Sequence, residues 1–239
     1  MYVRIMLATR VQVLMAALRS AHDELAACDL DMLTHRELLD VLDGLEELSC
    51  QLPTQWHRAL ARLQAETTPK ELGAKNWKDV LKIRWRISAG EAHRRLSEAE
   101  ELGPRQAFSG GEPLAPVLAA TAAAQATGLI NGEHVKVLRE AIRRLPGFVD
   151  AVTREQFETD LVRVAVGVGP KELKDTAELR LFLLDQDGPE PDDTERARKR
   201  GITIGKQGRD AMSTVTGNLT PEARAVWEVI FAKYAAPGM

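Results

Sequence analysis

Hydrophobic positions recur at intervals of three and four along most of the chain, which marks amphipathic helices rather than strands. Over 5–28, Leu14, Leu18, Ala21 and Leu25 share one helical face. Thr34 followed by Glu37 forms a capping box that opens a second helix, with Leu38, Leu42, Leu45, Leu48 and Leu52 as its apolar stripe. Pro53 is expected to kink or break that helix before Trp56, Leu60 and Leu63 resume the face. A short Asp-rich link joins the two helices, so the pattern predicts a long N-terminal antiparallel hairpin.

Past Thr67-Thr68-Pro69, a helix begins at Trp77 and stops near Ile87, where Ser88 and Glu91 suggest another capping box. The next carries His93, Leu96, Ala99 and Leu102 and ends at Gly103-Pro104. An alanine-rich helix over 115–126 is closed by Gly128, and Asn131 is the N-cap expected for a helix over 132–145. Thr153 with Gln156 reads as a third capping box, and Pro170 as the first turn of a further helix. Residues 185–193 are Asp, Gly and Pro in the main, hence a loop. Alternation over 200–204 predicts a short strand, with 212–216 as its partner and turn residues Gly205, Gly208 and Asp210 between. Such a hairpin needs helices to pack on. Thr220-Pro221-Glu222 opens the last helix, through Trp227 and Ile230 to Tyr234. The fold class expected is mainly α: a multi-helix bundle with a long N-terminal antiparallel hairpin and one small β-hairpin near the C-terminus. Three segments follow, 1–66, 67–184 and 185–239, or a single domain built from all of them.

Composition agrees: only 5% of residues are aromatic, too few for a β-rich sandwich. The net charge of −3 hides a segregated distribution. Residues 21–50 hold nine acids against Arg36 alone, whereas 70–95 hold eight Lys or Arg against three acids. Neighbouring cations are what displace counterions from phosphates, so the average acidity does not exclude nucleic acid. Cys28 and Cys50 lack a paired spacing and fit a reducing, cytoplasmic setting. No stretch approaches the roughly 20 apolar residues that span a bilayer, so no membrane association is expected.

Catalytic chemistry is not apparent. The five histidines are scattered, no cysteine pair has zinc-ligand spacing, and the glycines at 201, 205 and 208 do not lie between a strand and a helix. Asp185, Asp187 and Gly188 fit a polar helix-end turn better than a calcium loop. No catalytic residue, metal site or cofactor is therefore assigned.

Two places pair a helix, a tight turn and a capped second helix: 77–102 and 121–145. The first is the better candidate for DNA. Lys75, Lys78, Lys82, Arg84 and Arg86 precede its turn, and Arg94 and Arg95 sit in the first turns of the helix that follows. In a helix-turn-helix the start of the second helix faces base edges while the first crosses the backbone. A basic solvated face on an ordinary helix pair remains the alternative. Trp77 and Trp85 read as core. A second basic cluster, with Arg198, Lys199, Arg200 and Lys206, surrounds the hairpin.

Several strings stand in a particular order: Trp77 with Ile87-Ser88-Ala89-Gly90-Glu91-Ala92; Gly128 with Ile130, Glu133-His134-Val135 and Leu145-Pro146; Phe157-Glu158; Pro170-Lys171-Glu172-Leu173; and Leu184-Asp185-Gln186-Asp187-Gly188. Arg200-Gly201-Ile202-Thr203-Ile204-Gly205-Lys206-Gln207 and Gly217-Asn218-Leu219-Thr220-Pro221-Glu222-Ala223 complete the set. Together they resemble the mycobacterial 13E12 repeat family, whose helical region is domain of unknown function 222, from about Leu7 onward. The resemblance implies relatives that place an HNH endonuclease module after this region and that are linked to mobile elements. The Cys and His residues of such a module have no counterpart here, so no nuclease residue is carried over. Asp210-Ala211 also departs from the Asp-Gly of relatives, and Ala at a turn position favouring positive φ would be mildly strained. The function expected is a non-catalytic DNA-binding or targeting region. The alternative is a helical interaction or homodimerisation module that does not touch nucleic acid.

Overall fold

Helix caps written into the sequence fix most of the element boundaries. In the computed structural model, residues 2–105, 114–186, 197–198 and 200–234 are described. Among them are nine helices and one two-stranded antiparallel sheet, a mainly α fold. They are α1 (Tyr2–Ala27), α2 (His35–Glu66), α3 (Trp77–Trp85), α4 (Ala89–Leu102), α5 (Ala119–Ala126), α6 (Gly132–Arg143), α7 (Ala151–Ala165), α8 (Pro170–Gln186), β1 (Gly201–Ile204), β2 (Val215–Asn218) and α9 (Pro221–Tyr234). The chain divides into two compact units, Met1–Leu181 and Phe182–Met239.

In the first unit, the second half of α2 is the organising element. It packs on α4 and α5, α3 packs on α4, and α5 and α6 pack on α7. Leu60 of α2 joins Val80, Leu81, Ala92 and Ala99 in one buried cluster. Close approach of α2 and α4 depends on Gly103, where a Cβ would run into the Ala99 carbonyl oxygen and lie 3.0 Å from that of His57. A salt bridge from Arg144 to Glu178 and another from Arg180 to Asp160 tie α8 to its neighbours.

Several boundaries differ from expectation, each for a local reason. Thr34 and Glu37 form the expected capping box, but α2 runs unbroken through Pro53; beside it the Thr54 hydroxyl donates to the Gln51 carbonyl at 2.7 Å. The stripes of α1 and α2 do not bury one another: Leu14, Leu18, Leu25, Leu45 and Leu48 are all exposed. At α7 the N-cap is Asp150, whose carboxylate accepts from Thr153 N at 2.7 Å, so Thr153 lies inside the helix rather than ahead of it. Helix α5 starts at Ala119, not Ala115. Its N-cap Leu118 offers no side-chain acceptor, and the carboxylate of Glu158 on α7 takes the Thr121 N–H at 2.7 Å instead. Gly128 (φ +77°) ends α5 as expected, and Asn131 caps α6 through Glu133 N and His134 N.

In the second unit, β1 pairs with β2 so that Ile204 meets Val215 and Gly201 meets Asn218. The partner strand therefore lies further along than 212–216. Asp210 Oδ1 accepts from Met212 N at 3.1 Å and Gly208 N donates to the Met212 carbonyl at 2.7 Å, which keeps Met212 in the turn. Ala211 adopts φ +61°, the left-handed conformation expected at that position. Every strand residue is exposed.

Candidate nucleic-acid interface

The α3–α4 pair is a short helix, a three-residue turn and a longer helix. Asn76 caps α3 by accepting from Asp79 N at 2.9 Å, and Ser88 caps α4 by accepting from Glu91 N at 3.1 Å. Between them Arg86 closes α3 in the left-handed conformation at φ +55°, where glycine is the usual occupant. The turn thus carries a cation. Trp77, Trp85, Ile87 and Leu96 pack against the buried cluster, and Trp85 meets Trp56 of α2 edge-on at 5.1 Å. Trp77 and Trp85 are core, as their spacing suggested.

The seven basic residues of this region differ in what they touch. Lys75, Lys78, Arg84 and Arg86 are exposed and form no ion pair among the described residues. Lys78 and Lys82 are four residues apart on α3, which places them on one face, with Lys75 just before the helix and Arg86 just after. Lys82 is also exposed, 3.3 Å from Asp79. Arg94 and Arg95, by contrast, are ion-paired, Arg94 with its side chain still 51% exposed and Arg95 half-buried. Arg94 makes a two-pronged bond to Glu91 (2.8 and 2.7 Å) and another to Glu98 at 2.7 Å. Arg95 bonds Glu91 at 2.7 Å and lies 4.9 Å over the Trp56 ring. The hydrogen bond from Arg94 is the main reason the Glu91 carboxyl is pushed down to about 2. Glu91 therefore does not complete the capping box with Ser88, because its carboxylate is turned to the two arginines.

Of the second cluster, Arg198, Arg200 and Lys206 are exposed and belong to the other compact unit; Lys199 lies outside the described residues, as do Asp187 and Gly188 of the polar turn.

No local pattern in the sequence announces the charged network beneath this surface. Arg139 on α6, 5% exposed, donates to Glu101 at 2.5 Å, Glu98 at 3.1 Å and Ser97 at 2.6 Å on α4. His57 Nε2 of α2 lies 3.8 Å from the same Glu98. Burial is the largest influence on Glu98 and raises its pKa, but His57, Arg94 and Arg139 together outweigh it, and the carboxyl sits below its usual range. Glu101 and Glu98 are 38 and 41 residues from Arg139 along the chain, too far for helical spacing to link them. The Glu91–Arg94–Arg95 part, by contrast, was readable from its helical spacing. Trp56, His57, Arg94 and Glu98 also line a cleft of about 130 Å³, smaller than the roughly 300–1,000 Å³ of small-molecule sites. Among the described residues no three His, Cys, Asp or Glu side chains cluster to hold a metal ion, and no helix is long and apolar enough to cross a membrane.

Comparison with known proteins matches residues 39–239 to a family model described as a domain of unknown function, DUF222. An uncharacterized protein of Mycobacterium tuberculosis (strain CDC 1551 / Oshkosh) is 42% identical over 224 residues, covering 94% of this chain and 53% of that protein. A second from the same strain is 43% identical over 209 residues, 87% of this chain and 45% of its own length. A protein of Mycobacterium bovis (strain ATCC BAA-935 / AF2122/97) is 42% identical over 226 residues, 93% of this chain and 49% of that protein. The chain thus spans about half the length of the curated relatives it matches. No solved structure matches it. With the family model covering most of its length and relatives of this similarity, the chain belongs to the DUF222 family.

Proposed function

We propose that this chain is a DNA-binding, targeting region in which the α3–α4 pair sits on duplex DNA mainly through phosphate contacts. The observation that carries the reading is the set of exposed, unpaired cations along α3 and its turn: Lys75 and Lys78 at the start of the helix, Arg84 near its end and Arg86 in the turn. A cation at the turn and a line of lysines along the first helix are where a helix-turn-helix meets the backbone. The start of α4 presents Ala89, Gly90 and the exposed His93, small enough to admit close approach of a groove edge. Arg94 and Arg95 support the geometry of α4 rather than supply the contacts. On this reading the chain is the front part of a 13E12-type protein. An HNH nuclease module in the remaining half would supply the chemistry, in keeping with a mobile-element role.

The test is binding of labelled duplex DNA by fluorescence anisotropy across a salt series. Each phosphate contact contributes a slope of about −0.9 in log K against log salt, so replacing all four cations by Ala removes roughly 3–4 units of slope. Equal affinity and slope for this variant and the parent chain would refute the interface. The Arg198, Arg200 and Lys206 cluster is tested separately by the same substitutions, since it belongs to the other unit.

A further inference from the structure

Helix α1 and the first half of α2 carry apolar seams that the first unit leaves open. Along α1, Val11, Leu14, Leu18, Ala21 and Leu25 are spaced three, four, three and four residues apart, and all are exposed. Along α2, Leu38, Val41, Leu45, Leu48 and Leu52 repeat the same spacing over the same length, the first two half-buried and the others exposed. A strict alternation of three and four is the seam of helices that pack lengthwise on other helices. It asks for a helical occupant, not a flat surface or a small ligand.

The two seams fit each other. Run antiparallel, Leu25 meets Leu38, Ala21 meets Val41, Leu18 meets Leu45, Leu14 meets Leu48 and Val11 meets Leu52. In that register Arg19 falls opposite Gly44, between Asp43 and Glu47. The charges fit over most of that length: from 9 to 22 the only full charges of α1 are Arg10 and Arg19, whereas 36–51 holds Glu37, Asp40, Asp43, Glu46 and Glu47 against Arg36. Only at the end of the seam does an acid, Asp23, fall opposite another, Asp40. Pairing α2 with another α2 would stack those acids, and pairing α1 with α1 would leave the α2 seams bare. The complement of each seam is therefore the other helix.

Within one chain that complement is not engaged: Leu14 is 58% exposed and Leu48 51%. A two-helix pairing would also leave Met15 and Leu42, which flank the seams and are themselves exposed, in water. An apolar stripe wider than the seam belongs to a helix in a bundle of more than two. We propose that the occupant is a second copy of this chain. Each α1 lies antiparallel on the partner copy's α2, so that four helices, two from each copy, form an isologous bundle about a twofold axis. The inference stands independently of DNA binding.

Two measurements on the full chain test it. Sedimentation over a range of concentrations should give twice the chain mass, and Leu45→Glu or Leu18→Glu should give the single-chain mass with unchanged helicity. In a Cys28→Ser background, Leu18→Cys with Leu45→Cys oxidised by a mild thiol oxidant should yield a disulfide-linked species of doubled mass under non-reducing conditions. A chain that sediments as a monomer at every concentration overturns the proposal. A disulfide joining positions 18 and 45 within one chain overturns it as well, because the seam would then be closed by the chain's own helix. A dimer that neither substitution disrupts places the contact elsewhere and refutes it too.

Discussion

Arg139 anchors the buried network that holds α6 to α4, and its replacement gives the sharpest test of how this unit is held together. Its guanidinium, 5% exposed, serves Glu101, Glu98 and Ser97 at once. Arg139→Met keeps most of the volume and removes every donor. Glu98 retains Arg94 and the nearby His57, while Glu101, with its side chain 23% exposed, loses its buried partner and regains some water. Removing one member of a buried pair commonly destabilises by about 3–5 kcal/mol, and the access of Glu101 to solvent favours the lower end. For a chain of this size each kcal/mol shifts Tm by about 2–4 °C, so the melting temperature should fall by at least about 6 °C. Thermal unfolding followed by circular dichroism at neutral and acidic pH reads the effect. The Glu98 carboxyl is held below its ordinary value of 4.5. Its share of the stability is therefore complete above that pH and lost as pH falls through the folded value. Once Glu98 is protonated it no longer needs a cation, so the penalty of Arg139→Met should shrink at acidic pH. A loss below about 1 kcal/mol at neutral pH, the size of a surface ion pair, would refute this reasoning. So would a penalty that does not change with pH.

Two further outcomes follow from local geometry. Ala211→Gly relieves a left-handed alanine that costs about 1–2 kcal/mol, offset by roughly 0.4–1 kcal/mol of unfolded-chain entropy. The net gain should appear as slower amide exchange at Gly205 and Gly208, whose N–H groups close the turn on Thr214 and Met212; faster exchange would contradict it. Burial raises the Glu158 carboxyl above its ordinary 4.5, so its contribution is fully present below that pH and declines as pH rises through the folded value. Glu158→Gln keeps an acceptor for Thr121 N without the charge. Its stability relative to the parent chain should improve between about pH 4 and pH 7, and a difference constant over that range would rule out the assigned cause.

What was legible in the sequence was local. Thr34, Ser88, Asn131 and Thr220 announce helix starts because a cap lies within three residues of the N–H it serves, and Gly128 announces an end because its φ is positive. The α3–α4 pair and its tryptophan core were readable for the same reason. What stayed hidden was anything written far away. Arg95 lies over Trp56 of α2, a contact that no helical spacing announces, whereas the Glu98 partner of Arg94 is four residues on in the same helix. Arg139 had no visible partner at all. Exposure of the α1 and α2 seams was equally out of reach, because an apolar periodicity records that a helix packs, not what it packs against.

The start of α5 gives the same separation a direction in time. An isolated alanine-rich helix of 8 residues is too short to hold itself together, and its first turn relies on a carboxylate 37 residues downstream. A chain made from its N-terminus can settle α3 and α4 while synthesis continues, since their caps and shared core lie within or before them. It cannot fix the beginning of α5 until residue 158 has emerged and α7 has come to rest beside it.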